Sequence, residues 1–209
     1  MNMWKCFSAG NPMFHVEHGM LLGIFLVFAG KANAQTFQPG TIKQQEVQVF
    51  KYINQLRQDP RRFFNQFIIP YADSDRRIDR SYIRSLRAIV NQLNTLPPLT
   101  VSQTMEKTAR FMSRDLARFN GRKLSHTSSG GLTFEERMKN AGVDCAGENL
   151  YSGIDRTPLQ MVMDLLIDWR VPSLGHRKNL LNPRYTSIGI AIGRFGQGGE
   201  ILVTDFSCR

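Results

Sequence analysis

Apolar residues recur along much of this chain with the 3.6-residue period of a helix that buries one face. Thr41-x-x-Gln44 has capping-box form, and Val49, Phe50, Ile53 and Leu56 follow at helical spacing, which predicts a helix over about 42–57. Asp59-Pro60 restarts a helix, with proline at its first position. Arginine and aspartate crowd the stretch from Asp73 to Arg87, yet Tyr82, Ile83, Leu86, Ile89, Val90 and Leu93 line one face. The charges therefore read as the solvated side of an amphipathic helix that Leu96-Pro97-Pro98 ends. Thr100-x-x-Gln103 is read as opening the next helix, where Met105, Ala109, Met112, Leu116 and Phe119 form a core stripe until Asn120-Gly121 stops it. Thr133-x-x-Glu136 and Thr157-Pro158-x-Gln160 repeat the start device. The second leads into Leu159, Val162, Met163, Leu166 and Trp169 and stops before Pro172, after which Ser173 is placed to cap a short helix reaching Leu181.

Period two enters late. Ile188, Ile190 and Ile192 alternate with small residues, and Ile201 and Val203 do so after Gly196-Gln197-Gly198-Gly199, which predicts an antiparallel hairpin of 185–194 and 200–207. Leu150-Tyr151-Ser152 is a candidate for a further short strand. Helices first and a hairpin last imply an α+β domain in which helices cover a small antiparallel sheet. No internal repeat or second domain is visible.

The amino terminus changes the composition. Met20 to Gly30 is an apolar run of 11 residues, too short to span a bilayer, and Ala32-Asn33-Ala34 follows it. Residues 1–34 are read as a signal peptide, 35–42 as a short lead and 43–209 as the domain, so that the expected location is secreted or periplasmic. Lys5 lies far from the apolar run and Glu17 close to it, which leaves a start at Met13 or a retained anchor as alternatives. Cleavage after Ala34 would remove Lys5, Lys31 and Glu17, lowering the formal charge from +10 to +9, and would take Cys6, His15 and His18 with it. Two cysteines then remain, Cys145 and Cys208. In an oxidising compartment they predict one disulfide, with two buried free thiols as the alternative. Two histidines also remain, His126 and His176. So few ligands exclude multi-finger zinc proteins, disulfide-dense mini-scaffolds and Cys-ligated iron–sulfur carriers.

Familiar catalytic signatures are absent: H-E-x-x-H, G-x-S-x-G, a Walker loop, C-x-x-C, or G-x-G-x-x-G after a strand. The candidate chemistry is carried by His126 in Ser125-His126-Thr127-Ser128, Glu148 in Gly147-Glu148-Asn149 and His176 in Gly175-His176-Arg177. A divalent-metal site needs neutral imidazoles, usually with a carboxylate, and this is the one histidine pair available. Each histidine also has a plain reading as a hydrogen-bonded surface or capping group. Glu148 has one as a carboxylate accepting backbone N–H bonds in a glycine-rich turn, and Glu136 has one as the capping partner of Thr133.

Several segments in order carry a resemblance. Pro97-Pro98-Leu99, Ser125-His126-Thr127-Ser128, Phe134-Glu135-Glu136-Arg137-Met138 with Ala141-Gly142, Gly147-Glu148-Asn149-Leu150, and Gly175-His176-Arg177-Lys178-Asn179-Leu180-Leu181-Asn182-Pro183 before Ile188-Gly189 resemble the signature of the CAP superfamily. That superfamily groups cysteine-rich secretory, antigen 5 and pathogenesis-related proteins, and the chain is most similar to the bacterial secreted branch over about residues 43–207. The resemblance implies a three-layer α-β-α sandwich whose cleft joins two histidines and two acids. His126, Glu148 and His176 match three of those positions. The fourth acid is expected just after Trp169, near Pro172, where no carboxylate stands. The stretch at about 58–95 is longer than the family minimum and reads as an added helical region.

The resulting expectation is a secreted domain, noncatalytic or weakly catalytic, in which His126 and His176 hold a divalent metal such as zinc and Glu148 orients or completes the site. The resemblance implies lipids, sterols or extracellular proteins as partners, and the basic charge favours anionic lipid or glycan surfaces. The rival expectation is a metal-assisted or His/Glu hydrolase, a protease by class, with Glu148 as general base. Nucleic acid is not an expected partner, because neither a motif nor an aromatic platform accompanies the charge.

Overall fold

A computed structural model describes residues 41–119 and 124–208. The signal peptide, most of the lead segment and the Asn120-Gly121 stop lie outside the described residues.

The chain enters α1 (Ile42–Gln58) through the expected capping box of Thr41 and Gln44. Asp59 accepts the Arg62 N–H and starts α2 (Pro60–Phe63), which runs through a π-helical turn (Phe64–Ile68) into α3 (Ile69–Ser74). Asp79 caps α4 (Arg80–Gln92), so the amphipathic helix begins later than the Asp73–Arg87 charge run suggests; Ile83, Leu86 and Val90 are its buried face. Thr100 does not cap a helix. Thr100 and Val101 form β1, whose Thr100 N–H donates to Thr186 O, and Ser102 caps α5 (Gln103–Arg118) by accepting the Met105 N–H. The predicted boxes at Thr133/Glu136 and Thr157/Gln160 open α6 (Phe134–Asn140) and α7 (Pro158–Ile167). Ser173 caps nothing: α8 (Gly175–Leu180) starts from Leu174 in the left-handed conformation without a side-chain cap.

The sheet has four strands in the order β1-β3-β4-β2, with β2 at Ala146–Ile154, β3 at Ser187–Phe195 and β4 at Gly199–Ser207. The predicted hairpin is β3–β4. The sheet is mixed rather than antiparallel throughout, because β1 runs parallel to β3, and β2 is a full nine-residue strand rather than a short one. Glu148 therefore lies in a strand, where pleat direction aims its side chain, and not in a glycine-rich turn.

Two helical layers enclose this sheet. On one face α5 packs Ala109, Met112 and Leu116 against Leu150, Ala191, Ile201 and Val203. The small residues alternating with isoleucine in β3 have a steric reason: a Cβ on Gly189 would fall 1.9 Å from the Met105 backbone and one on Gly193 2.5 Å from Ser113 O. The helix lies directly on the strand there. On the other face Ile188, Ile190, Ile192, Leu202 and Phe206 meet α1, α4 and α7 in the larger core. Two polar anchors brace the layer that holds the larger core. Asp164 of α7 accepts hydrogen bonds from Tyr71 of α3 at 2.7 Å and Tyr151 of β2 at 2.9 Å. Arg57, fully buried, donates to the carbonyls of Pro97, Leu180, Asn182 and Tyr185. Cys145, just before β2, is disulfide-bonded to Cys208, just after β4, across 63 residues of sequence.

Candidate functional site

The site is built around Gly147-Glu148-Asn149 on β2, an edge strand, so neighbouring side chains point into opposite helical layers. Glu148 faces the α5 and α6 side and is buried. Its Oε1 meets His126 Nδ1 at 2.8 Å, and its Oε2 is paired with the Arg137 guanidinium of α6. Arg137 also donates to the His126 carbonyl at 2.8 Å, so one cation holds both the carboxylate and the backbone of the loop that presents the imidazole. A second clamp on this loop comes from α5, where Asp115 accepts the Ser129 N–H at 2.7 Å. His126 itself stays open to solvent, with 55% of its side chain exposed.

His176 stands at the start of α8 with a matching arrangement. Its Nδ1 lies 2.8 Å from Asp168 Oδ1, and Asp168 Oδ2 accepts the Arg177 N–H at 3.1 Å. The Asp168 carboxylate is fully buried. Three non-glycine residues of the 168–174 link adopt left-handed φ: Asp168 (59°), Arg170 (65°) and Leu174 (52°). Such conformations each cost on the order of 1 kcal/mol or more and persist where surrounding contacts fix them. Here the contacts are the Asp168 bonds and the Arg177 guanidinium, which donates to Leu166 O, Ile167 O, Tyr82 O and Ser85 Oγ. Arg177 thereby joins the His176 helix to α7 and to α4 of the 58–95 region.

Asn149, on the opposite side of β2 from Glu148, donates to the His176 carbonyl at 3.3 Å and accepts from Asn179 at 2.8 Å, while Asn179 also donates to Glu148 O. Two consecutive strand residues therefore touch both histidines: Glu148 through a ring, Asn149 through a backbone carbonyl.

No acid stands near Pro172, but an acid on the other side of the tryptophan does reach His176: Asp168, just before Trp169. Sequence spacing misses it because the left-handed turn at Asp168 reverses the chain and aims its carboxylate forward onto α8. Arg137 and Asp205 are likewise unassigned by spacing. Asp205 is the β4 register partner of Glu148, fully buried, with Oδ2 accepting from Thr108 of α5 at 2.6 Å. Burial, and then the adjacent Glu148 charge, hold its carboxyl well above the ordinary value of 3.8. Among the described residues its Oδ1 has no hydrogen-bond partner.

Because a carboxylate only accepts, the Nδ1 of each imidazole is the protonated nitrogen and Nε2 carries the lone pair in the neutral ring. Both oxygens of Glu148 accept a hydrogen bond, Oε1 from His126 and Oε2 from Arg137. Among the described residues no group of three or more His, Cys, Asp or Glu side chains is arranged to hold a metal ion.

The sequence comparisons bear on this geometry. The family model described as the cysteine-rich secretory protein family, CAP, matches residues 38–206, which spans the sheet, both helical layers and both histidine–carboxylate pairs. The chain belongs to the CAP family. Within it, the chain is 34% identical over 117 residues to the protein YkwD of Bacillus subtilis (strain 168), a match covering 55% of this chain and 41% of YkwD. The chain thus spans about two fifths of that curated relative. Among solved CAP-like structures, it is similar to an extracellular protein containing an SCP domain from Bacillus anthracis, at 22% identity and a TM-score of 0.47, covering 83% of this chain and 44% of that one. It is also similar to an outer surface protein from Borrelia burgdorferi, at 28% identity and a TM-score of 0.44, covering 62% of this chain and 88% of that one. No helix among the described residues is long and apolar enough to cross a membrane.

Proposed function

We propose that the chain is a secreted CAP-domain binding protein in which His126 and His176 coordinate a divalent cation, zinc foremost, and through it or beside it engage an extracellular lipid, sterol, anionic glycan or protein. Secretion is supported by the apolar Met20–Gly30 run before Ala32-Asn33-Ala34 and by the Cys145–Cys208 disulfide, which suits an oxidising compartment.

One observation carries the metal reading: each imidazole is tethered through Nδ1 to a buried carboxylate, Glu148 for His126 and Asp168 for His176. That outer-shell arrangement fixes the tautomer and raises the basicity of a metal-binding Nε2. A cation held by the two imidazoles would have its remaining positions left to solvent or ligand. A bound zinc would supply a Lewis-acidic coordination point. Glu148, Asp168, Arg137 and Arg177 are then positioning residues.

The hydrolase reading fits less well, since the acid it would use as general base is held by the His126 ring and paired with the Arg137 cation, which favours its charged, weakly basic form. Isothermal titration with zinc tests the proposal. One binding event in the wild type, lost in the His126→Ala/His176→Ala protein, is the expected result; binding that survives the double substitution overturns it. Hydrolysis of a peptide library that disappears in Glu148→Gln would instead establish an enzyme.

A further inference from the structure

The outer face of α5 holds a feature that the histidine site does not use. Lys107, Phe111, Arg114 and Arg118 occur at steps of four, three and four, which places them on one stripe of the helix, and all four are exposed. Beside this stripe lie two shallow depressions. One, of about 550 Å3, is walled by α5 and Lys43. The other, of about 500 Å3, lies between α5, Ile42 and the Ile192–Arg194 end of β3. Arg110, Arg114 and Arg118 line both, forming the ridge between them.

The charges on this surface differ in how far they are compensated. Arg110 is held by Glu46, Lys43 pairs with Glu106, and Arg194 pairs with Glu200. Asp115, on the wall of the first depression, is occupied by Ser129 of the His126 loop. Lys107, Arg114 and Arg118 have no carboxylate partner among the described residues. The result is a ridge of uncompensated cations with Phe111 exposed in its middle and Phe119 exposed at its end.

We propose that this ridge is a docking surface for an extended anionic polysaccharide, with Lys107, Arg114 and Arg118 pairing with its carboxylate, sulfate or phosphate groups and Phe111 stacking on a sugar ring. Spaced cations along a helix fit a linear polymer with repeated charges, and guanidinium forks suit bidentate oxyanions. A bilayer fits less well, because docking on an interface needs a continuous apolar face to bury, and Phe111 and Phe119 are two separate rings among the cations. The surface adjoins the loop that Asp115 clamps, so a chain lying along the ridge extends toward His126. The proposal uses none of the histidine chemistry and stands or falls separately from the zinc reading.

The test measures binding of the full chain to a fluorescein-labelled dextran sulfate oligomer by anisotropy at near-physiological salt, with neutral dextran, phosphatidylglycerol vesicles and single-stranded DNA as competitors. The triple variant Lys107→Gln/Arg114→Gln/Arg118→Gln is compared with Arg62→Gln/Arg76→Gln/Arg84→Gln, which removes the same charge from exposed positions of the 58–95 region. A charge-assisted hydrogen bond is worth about tenfold in affinity or more, so the α5 triple variant, which removes three, should bind on the order of a thousandfold more weakly, with an unchanged thermal midpoint. The control variant and the His126→Ala/His176→Ala protein should bind like the wild type. Phe111→Ala should weaken binding without altering its salt dependence. Equal losses in both triple variants would reduce the effect to net charge and overturn the proposal. Stronger competition by the vesicles or the DNA than by unlabelled dextran sulfate would overturn it in favour of a membrane or a nucleic acid.

Discussion

Replacing Arg57 by methionine probes how the core holds the site. Arg57 is a fully buried cation with no carboxylate beside it: Nε donates to Pro97 O at 2.9 Å, Nη1 to Leu180 O at 3.0 Å and Asn182 O at 2.9 Å, and Nη2 to Tyr185 O at 3.0 Å. Burial pushes its pKa from 12.5 down to about 10, which still leaves it protonated at neutral pH. Methionine keeps most of the stem and removes every one of these bonds, leaving carbonyl groups to be rehydrated or stranded. A buried acceptor left without its donor costs about 1–3 kcal/mol, so with part of the four carbonyls rehydrated the loss should be about 3–5 kcal/mol. At roughly 2–4 °C per kcal/mol for a domain of this size, the melting midpoint should fall by about 6–20 °C. Calorimetry and urea unfolding with an unchanged m-value would measure this. Three of the acceptors end or follow α8, the helix that carries His176, so hydrogen exchange should accelerate first around residues 180–185. A loss below about 1 kcal/mol, or exchange that rises uniformly, would refute the view that Arg57 organises this region.

Three further outcomes follow from the site. Asp168→Asn should weaken zinc binding by about 10–100-fold through misorientation of His176, read by calorimetry, whereas an unchanged affinity would detach Asp168 from the metal reading. Asp205 has a raised folded-state pKa, so the native protein keeps a proton that the unfolded chain releases above 3.8. Its stabilising contribution is complete below that value and is lost as pH rises toward the folded pKa. The stability of wild type relative to Asp205→Asn should therefore decline from about pH 4 upward, and a flat difference across urea titrations would contradict this. The Cys145→Ser/Cys208→Ser protein should lose about 4 kcal/mol, the loop-closure value for a 63-residue separation, measured by chemical unfolding.

The elements that sequence predicts well are those with local causes. Thr41/Gln44, Thr133/Glu136 and Thr157/Gln160 form their reciprocal bonds within four residues, so their helices start where the pattern places them. Thr100 and Ser173 have the same composition cue and fail for tertiary reasons. Thr100 is drawn into pairing with Thr186, and the chain ahead of α8 is set by the left-handed turns that follow Asp168. At the site, His126, Glu148 and His176 are legible through the motif resemblance. Their supports are less so: Arg137 reaches Glu148 from another helix, Asp205 meets it through strand register, and Asp168 reaches His176 across a reversed link. Each of these contacts depends on how distant backbone segments are brought together, which no local spacing encodes.

The central claim is that two imidazoles, each pinned at Nδ1 by a buried carboxylate, offer Nε2 to a cation. Long-range proton–nitrogen correlation spectra of protein labelled with 15N-histidine read this directly at a pH where both rings are neutral. His126 and His176 should both be the Nδ1–H tautomer, and added zinc should shift both Nε2 resonances together. An Nε2–H tautomer at either ring, or a zinc response confined to one of them, would contradict the account.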